Sequence, residues 1–453
     1  MGSGIGSAGA GWVTTSRDSE GGSAPLPKPP PEDRWRRQSR RSNVAMTPRE
    51  LVSDAPADDQ QQVSVAPSHV SPEAWAPHGD RLGVYLHLPF CVERCGYCSF
   101  NTAPYAPGSM GRFLAALLGE IDLVARAPWT RSITVRSVFV GGGTPSLAAP
   151  VEMAAILERL RARFAVEPGA EVTVECNPES VSRERLAGYR RAGVSRISLG
   201  VQSLDDRILP TLGRLHSARE AREAFAAARA AGFDNISADL IYGLPGLDTD
   251  TWEATVRGLI EWEPDHLSAY ALALDEGSLW HAAGVKGLPG EDAVADQYRC
   301  LVHAAGEAGY EHYEISNYAR PGRRSAHNQI YWRAEEYLGL GPGAAGFLGD
   351  VRYVNVKPVE RYCALAEAAQ LPVGSHETLT ARQRLAERLV LGLRTRDGIP
   401  GPWIEERITI EPGRLPALLE AWKEQGLLVD EGGRIRLTEA GFLLSDALFV
   451  ELL

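Results

Sequence analysis

Between Arg81 and Ala273 the chain alternates short apolar, β-branched runs with longer stretches in which apolar positions recur at helical spacing. The runs are GVYLHL (83–88), SVFVGG (137–142), EVTVEC (171–176), RISLGV (196–201), NISADLIY (235–242) and HLSAYAL (266–272). This alternation is the sequence sign of βα units around a parallel sheet, so an α/β fold is expected. The stretches between, such as Val151 to Phe164 and Ala218 to Ala231, are rich in the helix formers Ala, Leu, Arg and Glu. From Leu379 the pattern changes to helices and a short hairpin, in LTARQRLAERLVLGLRT, PALLEAWKEQGLLV and RIRLTEAGFLLSDALFVELL. No repeat at a short fixed period is visible.

Ahead of the regular region, residues 1–78 are dominated by Gly, Ser, Pro, Asp and Gln, a composition that favours disorder. Acids Asp18, Glu20, Glu32 and Asp33 near the basic run Arg34 to Arg41 argue against an organellar transit peptide, and Met46 is a candidate start. Four segments are expected: a low-complexity 1–78, a barrel over 79–350, a connection over 351–378 and a C-terminal helical domain over 379–453. At 453 residues, 44% of them hydrophobic, the chain can bury a large core. Its formal charge of −11 argues against a nucleic-acid partner, because phosphate binding needs clustered Lys and Arg. No apolar stretch approaches the roughly 20 residues that span a bilayer, so membrane contact is expected to be peripheral at most. A cytoplasmic location follows from these features and from the cysteine usage below.

Polar residues and glycines gather just past the C-terminal ends of the apolar runs, where parallel βα folds place their sites. The run Cys91 to Cys98 follows the first; Gly141, Gly142, Gly143 and Thr144 follow the second; Glu175, Asn177 and Glu179 close the third. Gln202 follows the fourth, Asp239 lies in the fifth and Ala273 follows the sixth. The glycines either let backbone approach a ligand or make a tight turn. Glu175 either accepts hydrogen bonds from ribose hydroxyls or an ammonium group, or caps the next helix. Asp239 sits between apolar neighbours, and a buried carboxylate needs a partner.

Three cysteines, Cys91, Cys95 and Cys98, stand in the spacing C-x3-C-x2-C with no fourth ligand beside them. Structural zinc closes a tetrahedron of four N or S ligands, whereas thiolates in threes suit a 4Fe–4S cluster whose last iron stays open for a small molecule. Zinc would need His87 or a distant cysteine. Disulfides would need an oxidising compartment, yet only 6 cysteines occur and no signal segment opens the sequence. Cys176, Cys300 and Cys363 stand alone and are expected as ordinary thiols.

With these motifs the chain resembles the radical S-adenosylmethionine proteins over roughly Leu82 to Leu348, through the triad followed by Gly96-Tyr97, then GGGTPS, ECNPES, SLGVQS, SADLIYGLPG and SAYAL. Within that superfamily it is similar to the oxygen-independent coproporphyrinogen dehydrogenases and to the HemW-type heme chaperones. The resemblance implies a partial (β/α)6 barrel and a small winged-helix-like C-terminal domain. It implies that Cys91, Cys95 and Cys98 hold the cluster and that S-adenosylmethionine chelates the open iron. Tyr85 and Tyr97 would flank that cofactor, and Gly142, Gly143 and Thr144 would meet its methionine end. Glu175, Gln202, Arg214 and Asp239 would contact the remainder, with Ala273 and Ala345 along the adenine. Arg214, in LGRLHS, reads equally as a surface salt-bridge residue. An electron donor would reduce the cluster, and cleavage of the sulfonium would give a 5'-deoxyadenosyl radical.

Two departures separate the candidates. The dehydrogenases carry a further cysteine two places beyond the triad, where Phe100 stands here, and a folded N-terminal extension, where this N-terminus is Gly-, Pro- and Gln-rich. In addition, His327-Asn328-Gln329-Ile330-Tyr331-Trp332 matches the HNxxYW motif implicated in heme binding among the chaperones. His327 could ligate heme iron while Tyr331 and Trp332 pack on the porphyrin, or the three could be ordinary interface packing. The resemblance thus implies a heme chaperone that delivers heme to recipient hemoproteins such as respiratory cytochromes, with homodimerisation left open. The alternatives are an oxygen-independent coproporphyrinogen III dehydrogenase of porphyrin biosynthesis and a radical methyltransferase. The glycine-rich stretch Glu335 to Phe347 is expected to close over the cofactor.

Overall fold

The computed structural model describes residues 75–410 and 413–452. The low-complexity segment up to residue 74, with its basic run and Met46, lies outside the described residues.

Six parallel strands lie side by side in chain order: β1 (Arg81–Leu88), β2 (Thr134–Gly142), β3 (Ala165–Cys176), β4 (Arg196–Gln202), β5 (Ile236–Tyr242) and β6 (His266–Ala271). All of β4 except Gln202 is buried, as a strand covered on both faces requires. The crossovers are α1 (Ser109–Val124), α2 (Pro150–Arg163), α3 (Arg183–Ala192), α4 (Ala218–Ala230) and α5 (Thr249–Ile260). In α4 a capping box between Ser217 and Glu220 sets the start. Its buried face is Ala221, Ala224, Phe225 and Ala228, at helical spacing.

Laid flat, six strands about 4.8 Å apart would separate β1 from β6 by about 24 Å. Instead the loop after β1 grips the segment after β6. The Trp280 amide donates to the Gly96 carbonyl at 2.9 Å, Arg94 donates to the Gly277 carbonyl at 2.9 Å, and the Ser99 hydroxyl donates to Asp275 at 3.0 Å. The sheet is therefore curled into the expected partial barrel, with the C-terminal strand ends around one mouth.

The sheet also extends past those six strands, to twelve among the described residues. Beyond β6 lie β7 (Glu311–Glu314) and β8 (Asn317–Ala319). Beyond β1 lie β9 (Tyr337–Leu340), parallel to it, then antiparallel β10 (Ala345–Leu348), β11 (Val351–Asn355) and β12 (Val373–Thr378). The glycine-rich stretch forms two of these strands, β9 and β10, and Gly339 is there because a Cβ would collide with the Ala345 carbonyl. Much of 351–378, expected as a connection, is sheet.

Four helices lie between and beside these strands: α6 (Leu279–Ala283), α7 (Glu291–Glu307), α8 (Ala326–Trp332) and α9 (Val359–Glu367). The C-terminal region follows with α10 (Ala381–Leu393), β13 (Ile399–Pro400), α11 (Gly401–Ile410), α12 (Leu415–Glu424) and the hairpin β14 (Leu428–Glu431) and β15 (Arg434–Leu437). It has its own apolar core, including Leu389, Val390 and Trp422. Backbone bonds from Ile315 to Arg394 (3.1 Å) and from Arg396 to Tyr313 (3.0 Å) fasten it to the barrel. No helix among the described residues is long and apolar enough to cross a membrane.

Glu120 of α1 is buried and accepts from the Gly341 amide (2.8 Å), Asn355 (2.6 Å) and the Tyr362 hydroxyl (2.6 Å), tying α1 to β11 and α9. Replacing it with alanine would leave the buried Gly341 amide and Tyr362 hydroxyl unpartnered and Asn355 with only the Gly341 carbonyl. Glu120→Ala is expected to lower the unfolding free energy by about 3 kcal/mol or more, measured by urea denaturation.

Candidate functional site at the barrel mouth

The cysteine loop leaves β1 and is clasped at its base. Residues Phe90–Cys91 pair with Ala103–Pro104, and the Tyr105 amide donates to the Cys91 carbonyl at 2.8 Å. Within the loop the Cys98 amide donates to the Cys95 carbonyl at 3.2 Å. Gly96 is required where it stands, since a Cβ there would strike the Trp280 indole. The three thiols are free and half-buried. Burial pushes the Cys98 thiol up to about 11 and raises Cys91 as well, with the neighbouring thiols adding to both. Two donors face the sulfurs: the Thr144 hydroxyl lies 3.6 Å from Cys91 and the Arg214 guanidinium 3.8 Å from Cys95.

His87 offers nothing to a metal here, because its ring nitrogens are bonded to the Asn101 carbonyl (2.8 Å) and the Tyr85 hydroxyl (3.0 Å). Among the described residues no three His, Cys, Asp or Glu side chains converge tightly enough to hold a single ion. A cube carries each thiolate on a different iron, so its ligands stand further apart than those of one zinc ion.

The glycines after β2 form a cradle. Gly142 has φ +117°, and a Cβ there would meet the His87 ring at 2.8 Å; at Gly143 it would meet the Pro89 carbonyl at 2.6 Å. The Gly142 amide donates to Glu175 at 3.2 Å, and Asn177 donates to the Thr144 hydroxyl at 3.2 Å. Gln202, at the end of β4, has φ +66°, a strained conformation for a residue with a side chain, at a register shift against β5.

Arg214 is not a surface ion-pair residue. A short helical turn, Leu209–Leu212, ends at Gly213 (φ +77°) and delivers the guanidinium inward. There it donates to Asn177 at 2.8 Å and to the Gly200 carbonyl at 3.0 Å, leaving its Nε buried without a partner. Deeper in the barrel Asp239 accepts from the Ser198 hydroxyl (2.9 Å) and the Ser237 hydroxyl (3.1 Å). Burial raises both acidic groups, Glu175 to about 7 with the Asp239 charge adding, while Arg196 opposes the rise in each.

Tyr97 packs edge-on to Trp280, with ring centroids 6.1 Å apart. Tyr85 stacks near Phe139 and its pKa is raised by burial and by Glu175. Ala273 is half-buried just past β6, and Ala345 lies against Gly339, which pairs with Tyr85. The structure therefore gathers Tyr97, Gly142, Gly143, Thr144, Glu175 and Arg214 around the triad, with Asp239 below.

The HNxxYW residues are elsewhere and do not form one surface. His327 is fully buried, its ring nitrogens bonded to the Ser137 hydroxyl (2.9 Å) and the Tyr331 hydroxyl (2.9 Å). Burial, helped by Arg136, pushes the imidazole down to about 3. His327 and Tyr331 face the barrel interior one helical turn apart, whereas Trp332 lines the opposite side with Gln329 and Arg333.

Sequence reasoning passed over Arg196 and placed Asn177 at the end of the third run without giving it a role. Arg196 is 2% exposed and opens an otherwise apolar strand, which is itself a signal, since a buried arginine demands compensating charge. Asn177 bridges Thr144 and Arg214.

A curled parallel sheet with three cysteines behind its first strand is the scaffold of the radical S-adenosylmethionine class. Residues 85–259 match the Radical SAM superfamily and residues 379–444 match the HemN C-terminal domain. The chain is 40% identical to the heme chaperone HemW of Mycobacterium tuberculosis, over 83% of this chain and 95% of that one. It is 32% identical to the heme chaperone HemW of Bacillus subtilis, over 81% and 97%. It is also 36% identical to the mitochondrial radical S-adenosyl methionine domain-containing protein 1 of Bos taurus, over 84% and 89%. The solved structure of coproporphyrinogen III oxidase (HemN) from Escherichia coli superposes with a TM-score of 0.73 at 22% identity, covering 84% of this chain and 92% of that one. The chain belongs to the HemW family of radical S-adenosylmethionine proteins. Membership implies a 4Fe–4S cluster and S-adenosylmethionine, and the three free thiols and the half-satisfied Arg214 beside Cys95 fit them.

Because Glu175 has a folded pKa above its unfolded value of about 4.5, its contribution to stability is full below that value and is lost as pH rises through about 7. Glu175→Gln is therefore expected to gain stability relative to the wild type, by about 1–3 kcal/mol, between pH 5 and pH 8. Parallel denaturation series at the two pH values check this, and a constant difference would contradict it.

Proposed function

We propose that this protein is a cytoplasmic heme chaperone that binds heme and passes it to recipient hemoproteins such as respiratory cytochromes. The observation that carries the reading is the 40% identity to a heme chaperone, along 83% of this chain and 95% of that relative. The site agrees with it. At Phe100, where the dehydrogenases have their additional cysteine, the side chain is 63% exposed and offers no ligand.

In this reading Cys91, Cys95 and Cys98 hold the cluster. Bound there, the 4Fe–4S group supplies one-electron chemistry and an open iron. The chain's own residues do the rest. Thr144 and Arg214 donate toward the Cys91 and Cys95 sulfurs, an arrangement that favours the reduced, more negative state. The Gly142–Gly143 cradle admits the methionine end of S-adenosylmethionine; Glu175, Gln202 and Asp239 meet its polar groups; Tyr85, Tyr97, Ala273 and Ala345 border it. Heme engages the α8 region. His327 serves there as a positioning residue, because its nitrogens already hold Ser137 and Tyr331.

Two measurements test this. Anaerobically reconstituted protein is expected to bind heme with a shifted absorption spectrum and to leave coproporphyrinogen unconverted; production of protoporphyrinogen would overturn the assignment. His327→Ala is expected to destabilise the fold by about 1–3 kcal/mol and to weaken heme uptake without changing the spectrum of the heme that does bind. A changed axial-ligand spectrum with an unchanged melting curve would make His327 an iron ligand instead.

A further inference from the structure

A cavity of about 480 Å³ opens on the outer side of α8 where it meets the C-terminal region. That volume is within the usual range for small-molecule sites, about 300–1,000 Å³. Its charge is unlike that of the chain as a whole, which carries −11. Five arginines line it, Arg324, Arg333, Arg396, Arg434 and Arg436, against one carboxylate, Asp397.

Two of these arginines are neutralised: Arg324 pairs with Glu311 and with Asp397 (2.9 Å), and Arg436 pairs with Glu431 (2.5 Å). The other three are not, among the described residues. Arg333 donates only to the Gln329 amide oxygen (2.9 Å), and Arg434 to the Gly398 carbonyl (2.7 Å) and the Asp397 backbone. Arg396 bonds His312 at 3.2 Å and lies over the Phe442 ring. The Arg396 guanidinium is thus turned toward residues outside the cavity, and Arg333 and Arg434, two guanidinium groups without counter-charge at its wall, form a receptor for carboxylates, which they can bind bidentately.

The remaining lining selects a flat, apolar body between those carboxylates. Trp332 and Trp403 both line the cavity. The Trp332 indole N–H is buried without a partner, and Arg388 lies 4.0 Å over the Trp403 ring. Small polar anions would use the arginines and leave the indoles idle; a purely apolar ligand would do the reverse.

We infer that this cavity binds the propionate edge of heme, with Arg333 and Arg434 holding the carboxylates and Trp332 and Trp403 bordering the ring. The inference rests on the heme-chaperone reading and adds the place and the chemistry of recognition. It also explains why Trp332 lies apart from His327: the HNxxYW helix uses one side to anchor itself and the other to meet the ligand.

The test is a heme titration of the reconstituted full-length protein, beside the doubly substituted Arg333→Gln, Arg434→Gln chain and with heme dimethyl ester as a second probe. Arg333 is exposed and Arg434 touches only backbone carbonyls, so melting curves are expected to stay close to wild type. The wild type is expected to hold heme at least tenfold more tightly than the double variant, and to hold the ester about as weakly as the variant does. Equal heme affinity in the two proteins, or full affinity for the ester, would overturn this site while leaving the chaperone reading intact. A wild type that binds no heme would overturn the chaperone reading and the site with it. Should the double variant melt markedly lower, Arg333→Gln alone keeps the question open to decision, because equal affinity in that variant would remove Arg333 from the clamp.

Discussion

The backbone clasp between the loop after the first strand and the segment after the sixth decides the rest of the architecture. The bond from the Trp280 amide to the Gly96 carbonyl and those from Arg94 and Ser99, with Tyr97 packed on Trp280, hold the ends of the curled strands together at the mouth. The clasp is built from the cysteine loop itself, so closing the barrel and presenting the thiols are one event. Gly96 shows how tightly the two are coupled: the only residue that fits against the Trp280 ring is the one between Cys95 and Tyr97. Cluster binding and barrel closure should consequently support each other, since a ligand bound only by the closed form stabilises that form.

A second constraint is charge inside the barrel. Burial raises the pKa of both Glu175 and Asp239, the Asp239 charge adds to the rise at Glu175, and hydrogen bonds from the Gly142 amide and the Ser198 hydroxyl oppose it together with Arg196, buried at the start of β4. The serine hydroxyls of Ser198 and Ser237 add donors to Asp239. Such an interior is unfavourable as a hydrophobic core and suitable as a receptor, because it keeps polar groups oriented before any ligand arrives. The strained backbone of Gln202 at the same rim fits that pattern.

The six barrel strands were legible because a parallel sheet covered on both faces writes each strand as an uninterrupted apolar run, with no need to know which side faces in. The triad was legible because its spacing carries its chemistry. The strands between Tyr337 and Thr378 were not: they are four to six residues long, three of the four carry a glycine, and β9 finds its partner in β1, far upstream in the chain. Local composition there reads as a loop. Arg214 was ambiguous for a related reason, since LGRLHS looks exposed until the positive φ of Gly213 turns the side chain inward. The HNxxYW string suggested one surface from three residues, but at 100° per residue positions five apart on a helix are separated by about 140°.

That separation bears on which chemistry the protein performs. The N-terminal end of α8 is held by Glu171, whose carboxylate accepts from the backbone amides of Ala326 and His327, and His327 packs against Ser137 and close to Gly83. These contacts lie toward the starts of β1, β2 and β3, whereas the cysteines follow the end of β1. A heme seated on the outer side of α8 would thus be divided from the cluster by the helix and the barrel interior. Abstraction of hydrogen from a substrate needs reacting atoms about 3–3.5 Å apart. A tetrapyrrole held where the arginines are cannot meet that requirement, and one that only has to be held and handed on does not need to.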